Sequence, residues 1–355
     1  MSESGETRRD AREILGDSCW FPEDYVPAMK AMSFVRSDTA TLARQPFLDH
    51  RWNRRGCAQI PLMLDRIAQE FPSDAPLPRL NFIWHTSFCC STLIAAALNV
   101  ADRNISLSEP AMLVTVADVK RADAFTDAKM PSRLPEIAFR LLARRSTPDT
   151  AVTVKPSNFA NILIRDAVHH TKGKSLFLYS DLPSFLLSVA KSGLQLSKYA
   201  RRLFFSILRD DGKPVRWPAS DLFQMSDLEV AAIAWHLQIA EFRRSWAELG
   251  EGRVASLDCD AFLADPYPAL ERLDAFFGYG FGPEKIRTIV EGPVLKRHAK
   301  LPQAPFSPEQ RRMEQQRVRQ FLGADLERIA EWSYTAYPEA VRGAPLPGAL
   351  VATGK

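Results

Sequence analysis

LNFIWHTSFCCSTLIAAALNV, residues 80–100, decides how this chain folds. Leu80–Trp84 is an apolar run of strand length that ends abruptly in small and hydroxyl-bearing residues. Thr92–Val100 then has high helix propensity, so the segment reads as strand, turn and helix. Such a turn, within Phe82–Ala97, aims backbone N–H groups and a helix N-terminus at one point. A phosphate or sulfate there gains from the helix dipole and the unpaired amides, with Ser91 and Thr92 as hydroxyl donors. An N-capped helix after a core strand reads the same residues with no ligand, because Ser and Thr are common caps. The pattern GxxxxGK[ST] is absent, which argues against ordinary ATP hydrolysis.

Working outward, the alternation of short apolar strand and longer helix continues. Val152–Lys155, Ser175–Tyr179 and Val254–Leu257 read as buried strands, and a helix from Tyr267 to Phe277 ends at Gly278. Strands alternating with helices predict a parallel sheet with right-handed crossovers. The expected architecture is therefore an α/β three-layer fold of the P-loop type around a central parallel sheet. Residues 1–78 are expected to form a helical N-terminal cap, from apolar positions such as Ile60, Leu64, Ile67 and Ala68 at helical spacing. The α/β domain proper would span 79–341, with a helical insertion at about 194–246 that lines up Trp235, Ile239, Phe242 and Trp246. The tail 342–355, RGAPLPGALVATGK, is expected to be disordered.

Composition narrows the function classes. The 355 residues are 46% hydrophobic and 25% charged, as in a packed globular protein. A formal net charge of +4 is too small to imply nucleic-acid binding, so any anion preference must be local. No apolar run approaches the ~18–20 residues that span a bilayer, and the N-terminus lacks the apolar stretch of a secretory signal. Five cysteines, with only Cys89 and Cys90 close together, suit neither a disulfide framework nor a zinc site. A cytoplasmic location, no membrane insertion and no metal are expected; His85 and the pair His169-His170 lack ligands at metal-site spacing.

Some residues attract attention on chemistry alone. Pro156 stops a strand and leaves Lys155 at the carboxyl edge of the sheet, where ligands of α/β proteins bind. Cys89 sits near a helix N-terminus, where a thiol pKa falls. Gly292–Lys300 is a basic loop carrying Lys296, Arg297 and Lys300.

From the turn onward the sequence resembles the sulfotransferases that use 3′-phosphoadenosine-5′-phosphosulfate (PAPS). Their phosphosulfate loop also follows the first strand and ends in Ser/Thr-Thr opening a helix, as Ser91-Thr92 do. The resemblance implies that Ser87, Phe88, Cys89, Cys90, Ser91 and Thr92 hold the phosphosulfate, although the family usually places Lys or Arg at Phe88 and Gly at Cys90. Tyr179–Ser188 is similar to the 3′-phosphate segment: Ser188 matches its serine, and Ser180 stands where the family has arginine. Ser108-Glu109-Pro110 lies where tyrosylprotein and glycan sulfotransferases carry their general base, which implies that role for Glu109. Lys155 is similar to the strand-end lysine that contacts the bridging oxygen, and Arg297 and Lys300 to the late nucleotide segment. The implied activity is transfer of a sulfuryl group from PAPS to a hydroxyl or amine of a small-molecule, glycan or peptide acceptor. A non-catalytic nucleotide- or anion-binding member of the fold, or a P-loop kinase, remains open.

Overall fold

The structure is a computed structural model that describes residues 11–123, 131, 133–144, 149–191, 193–210, 212, 215–298, 301–305 and 307–351. Eight strands organise it: β1 (Trp20–Val26), β2 (Ala31–Arg36), β3 (Gln59–Met63), β4 (Asn81–His85), β5 (Asn104–Ser108), β6 (Ala151–Lys155), β7 (Ser175–Tyr179) and β8 (Val254–Asp258). A two-stranded ribbon, Arg297–His298 with Leu301–Pro305, stands apart from them.

Strands β4 to β8 form one sheet in the order β5-β6-β4-β7-β8, and every neighbouring pair is parallel. Parallel pairing requires crossovers that cover both faces, and the strand residues divide accordingly. Phe82, Trp84, Phe177 and Tyr179 enter one apolar cluster, while Ile83, Leu176 and Leu178 enter another on the opposite face. On the first face lies the Asp227–Leu249 helix, whose Phe242 stacks on Phe177 with ring centroids 4.6 Å apart. A capping box, Ser226 with Glu229, fixes its start. The second face is covered by the Ser91–Ala97 and Pro266–Phe277 helices, the latter closed by Gly278 in the left-handed conformation (φ 75°) that glycine adopts without steric cost. The three-layer α/β architecture with a central parallel sheet is thus present, and helices Gly193–Ile207, Ala219–Gln224 and Asp227–Leu249 occupy the expected insertion.

Two expectations need correction. The N-terminal region is mixed rather than mostly helical, because β1, β2 and β3 form an antiparallel sheet flanked by short helices. The helical spacing seen at 60–68 continues only in Leu64–Glu70; Gln59–Met63 pairs with β2, and its long-range ladder overrides local pattern. The tail is not disordered through 342–351: Leu346 is buried, and Ala349 bridges Ser256 of β8 in parallel. Ser256 N–H donates to the Gly348 carbonyl at 2.8 Å, and Leu350 N–H donates to that of Ser256 at 2.9 Å. Backbone pairing of this kind is independent of side-chain composition, which is why a Pro- and Gly-rich stretch concealed it. Residues 352–355 lie outside the described residues.

Candidate active site at the carboxyl edge of the sheet

After β4 the chain runs to β5 at one edge, returns through β6 beside β4, and crosses to β7 and β8 on the other side. The order reverses next to β4, and such a switch point leaves a crevice beyond the carboxyl ends of the strands. Lys155 ends β6 there. Because Ser108 of β5 pairs with Lys155 in register, the next residue, Glu109, lands beside it. Glu109 N–H donates to the Lys155 carbonyl at 2.7 Å, and Lys155 Nζ donates to Glu109 Oε1 at 2.5 Å. The Lys155 side chain is 0% exposed. Arg51 grips the other carboxylate oxygen at 2.7 Å and also pairs with Asp49. Burial by itself would raise the Glu109 carboxyl, but the Lys155 ammonium, with help from His85 and Arg51, holds it down at about 2.

The turn from β4 has an uncommon backbone. Ser87, Phe88 and Cys90 all take left-handed φ, at 73°, 54° and 56°, as does Glu109 at 51°. Left-handed conformations cost non-glycine residues of the order of 1–3 kcal/mol each and cluster where surrounding contacts enforce them for function. Those contacts are visible: Ser87 N–H donates to His85 Nδ1 at 3.1 Å, and Ser87 Oγ lies 2.7 Å from the Tyr199 hydroxyl. Tyr199 donates in turn to Asn158 Oδ1 at 2.5 Å, and its ring meets Phe88 edge-on. Cys90 is the N-cap of the Ser91–Ala97 helix; Thr92 is buried, and its Oγ1 has no hydrogen-bond partner.

Cys89 does not fit the role of an activated thiol. Burial pushes its pKa up to about 12, against an opposing pull from bonds to Thr86 and the charge of Lys155.

A cavity of about 520 Å³ opens over these groups, with Ser87, Phe88, Ser91 and Glu109 in its wall. Phe47, Arg51, Phe159 and Tyr199 close other sides. The loop carrying Phe47 and Arg51 is tied to the sheet edge by Leu48, whose N–H donates to the Ser108 carbonyl at 2.7 Å.

The remaining expected residues fall elsewhere. Ser180 follows β7 and is fully buried, with its carbonyl accepting from Trp235 Nε1 at 3.0 Å. Ser188 Oγ donates to the Ser184 carbonyl within its own helix. Arg297 is exposed on the short ribbon, although the adjoining Pro293–Lys296 turn packs against the Ser91–Ala97 helix. Lys300 lies outside the described residues. Around the carboxyl ends of β7 and β8 the charge is chiefly acidic. Burial, followed by Asp260 and Asp181, raises Asp258 to about 6, against bonds from the backbone of Asp260 and Ala261. Arg311, from the Pro308–Ala336 helix, reaches this side: it donates to Asp260 at 2.6 Å and to Cys259 Sγ at 3.7 Å.

Arg51 and Tyr199 are therefore cavity-lining residues that sequence reasoning missed, and Arg311 a cation it missed on the neighbouring flank. Arg51 and Arg311 belong to charged stretches that look like solvated surface, and Tyr199 to a helical pattern that looks like core. Among the described residues no group of three or more His, Cys, Asp or Glu is arranged to hold a metal ion, and no helix is long and apolar enough to cross a membrane.

No protein-family model matches this chain, and no curated protein matches it in sequence. Solved structures do overlap it loosely. Sulfotransferase STF9 from Mycobacterium avium aligns at 15% identity and a TM-score of 0.39, covering 72% of this chain and 79% of its own. The sulfotransferase domain from the curacin biosynthetic pathway aligns at 14% and 0.40, covering 77% and 94%. A sulfotransferase from Alicyclobacillus acidocaldarius aligns at 14% and 0.35, covering 75% and 98%. Overlaps this loose assign neither an activity nor a ligand.

Proposed function

We propose that this chain transfers a sulfuryl group from a phosphosulfate donor, PAPS in the first instance, to an acceptor hydroxyl or amine in the cavity. One observation carries the reading: Glu109 and Lys155, 46 positions apart, meet at 2.5 Å, and Glu109 shares the wall of a large cavity with the strained turn. A base that accepts a proton and a cation that meets developing negative charge are the two groups in-line transfer needs.

The resident geometry is a resting state. Lys155 is neutralised by Glu109, and a carboxylate with a pKa of about 2 is a weak base. When Lys155 turns its ammonium to an incoming anion, Glu109 loses its strongest opposite charge, and burial then raises its proton affinity. Glu109 takes the acceptor's proton as the acceptor oxygen bonds to sulfur. Lys155 meets the charge left on the oxygen released from sulfur, while the amides of the Ser87–Thr92 turn and Thr92 Oγ1 orient the sulfuryl oxygens.

The two halves of a PAPS molecule are served unequally. The sulfuryl end has the turn, Thr92 Oγ1 and Lys155. The 3′-phosphate end does not fit Ser180, which is buried, or Ser188, which is bonded to its own helix. No step above depends on that end. The unequal fit favours a second reading, a non-catalytic anion binder on the same scaffold. Calorimetry with 3′-phosphoadenosine-5′-phosphate and turnover of PAPS on an acceptor panel separate the two. Binding without turnover selects the binder. In an active preparation, Lys155→Ala and Glu109→Gln should each abolish turnover, and undiminished turnover in both would sink the transfer chemistry.

A further inference from the structure

The cavity has a second carboxylate wall, away from the Glu109–Lys155 pair. Strand β1 carries a bulge between Pro22 and Asp24, where the pairing shifts from Pro22↔Phe34 to Asp24↔Ser33. A bulge adds one residue to a strand and re-aims its side chains. Here Glu23 is buried, bonded to Arg54 and accepting from Ser33 Oγ at 3.1 Å, while Asp24 joins the cavity lining. Thr115, also on the lining, donates to Asp24 Oδ1 at 2.6 Å, and the Tyr25 N–H donates to the same oxygen at 2.8 Å.

The charges of the cavity sort around this residue. Glu109 is held by Lys155 and Arg51, Asp49 by Arg51, and Asp118 by Arg121. Asp24 alone among the lining carboxylates has no ion pair among the described residues. Two hydrogen bonds fix its orientation, and both are to uncharged donors. Phe47, Phe88, Phe159 and Tyr199 share the lining and give it an aromatic surface suited to an apolar body; the Arg51 guanidinium already lies over the Phe47 ring and that of Arg202 over Phe159. A carboxylate oriented but not ion-paired, in a cavity with aromatic walls, is a receptor for an amine on an apolar body.

We propose that the acceptor bound in this cavity carries a cationic amine on an aromatic or similarly apolar body, with Asp24 as its counter-ion. The inference rests on the reading of the cavity as the acceptor site, and it deepens that reading by naming the substrate class and the residue that selects it. Asp24 is a specificity-determining residue, not part of the transfer machinery.

The test is calorimetric binding of three probes to the full chain with no donor present. Tyramine carries the amine, N-acetyltyramine keeps the body but not the charge, and 4-ethylphenol lacks the nitrogen. Tyramine should bind roughly tenfold or more tightly than either neutral probe, the size of one charge-assisted contact. Asp24→Asn should remove that preference and leave binding of 4-ethylphenol unchanged. Equal affinity for the three probes, no measurable binding of tyramine, or a preference that survives Asp24→Asn would overturn the proposal. The probe comparison on the unaltered chain decides the matter even if the variant does not fold. Failure of the transfer reading would look different: absent turnover with the amine preference intact.

Discussion

The two flanks of the crevice are built on opposite electrostatic plans. On the flank of β5 and β6, every charge is answered: Lys155 by Glu109, Glu109 again by Arg51, Arg51 by Asp49. On the flank of β7 and β8, Asp181, Asp258 and Asp260 crowd together, and Arg311 reaches them from a helix far along the chain. The closed network is poised to exchange one anion for another. The acidic flank must first be neutralised to admit a phosphate. A cleft for a nucleotide with anionic groups at both ends would be expected to spread its cations, so the asymmetry locates the sensitivity of function in few residues.

The comparison breaks most dramatically at Lys155. Replacing it with Met leaves Glu109 buried beside a lost partner, which costs about 3–5 kcal/mol. Urea denaturation should show this loss, and Lys155→Met combined with Glu109→Gln should recover much of it. Acid titration sharpens the same point. Glu109 has a folded pKa of about 2 against an ordinary 4.5, so its pairing contributes fully above pH 4.5 and fades as pH falls toward 2. The stability gap between the unaltered chain and Glu109→Gln should therefore close over that window. A gap that persists at pH 2 would show that the carboxyl is not held by its cations.

On the acidic flank, Arg311→Gln should weaken 3′-phosphoadenosine-5′-phosphate binding by about 1–3 kcal/mol, with Arg297→Gln doing less. Calorimetry that ranks them the other way would move the phosphate grip to the ribbon. The smallest effect is expected at Asp258. Its folded pKa of about 6 lies above the ordinary 3.8, so its contribution is fully present below pH 3.8 and lost as pH rises through 6. Asp258→Asn should thus raise the thermal midpoint at pH 8 and do little at pH 4.

Much of the scaffold was legible because buried parallel strands leave continuous apolar runs. Ser175–Tyr179 is found as read, and β6 and β8 differ from their readings by one residue at an end. Strand β5 was not legible, since Asn104, Ser106 and Ser108 give it a polar face. They are buried nonetheless, because Asn104 Nδ2 donates to the Leu98 carbonyl and to Ser106 Oγ, and Asn104 Oδ1 accepts from Thr153 Oγ1. Polar residues satisfied inside a core carry no apolar signature. The same opacity hid the site's second tier: Glu109 and Lys155 were visible one by one, but their meeting depends on the β5–β6 register, and Arg51, Tyr199 and Arg311 arrive from loops and helices whose placement only packing determines.

The C-terminal pairing along β8 has a consequence for solution behaviour. β8 is the outermost strand on its side, and an outermost strand presents unpaired amide and carbonyl groups to any other chain that offers the same. Gly348 and Leu350 occupy those groups on both sides of Ser256. A chain cut before Leu346 would bare them and become sticky, so self-association on truncation would report that these last residues act as a built-in barrier to strand exchange between molecules.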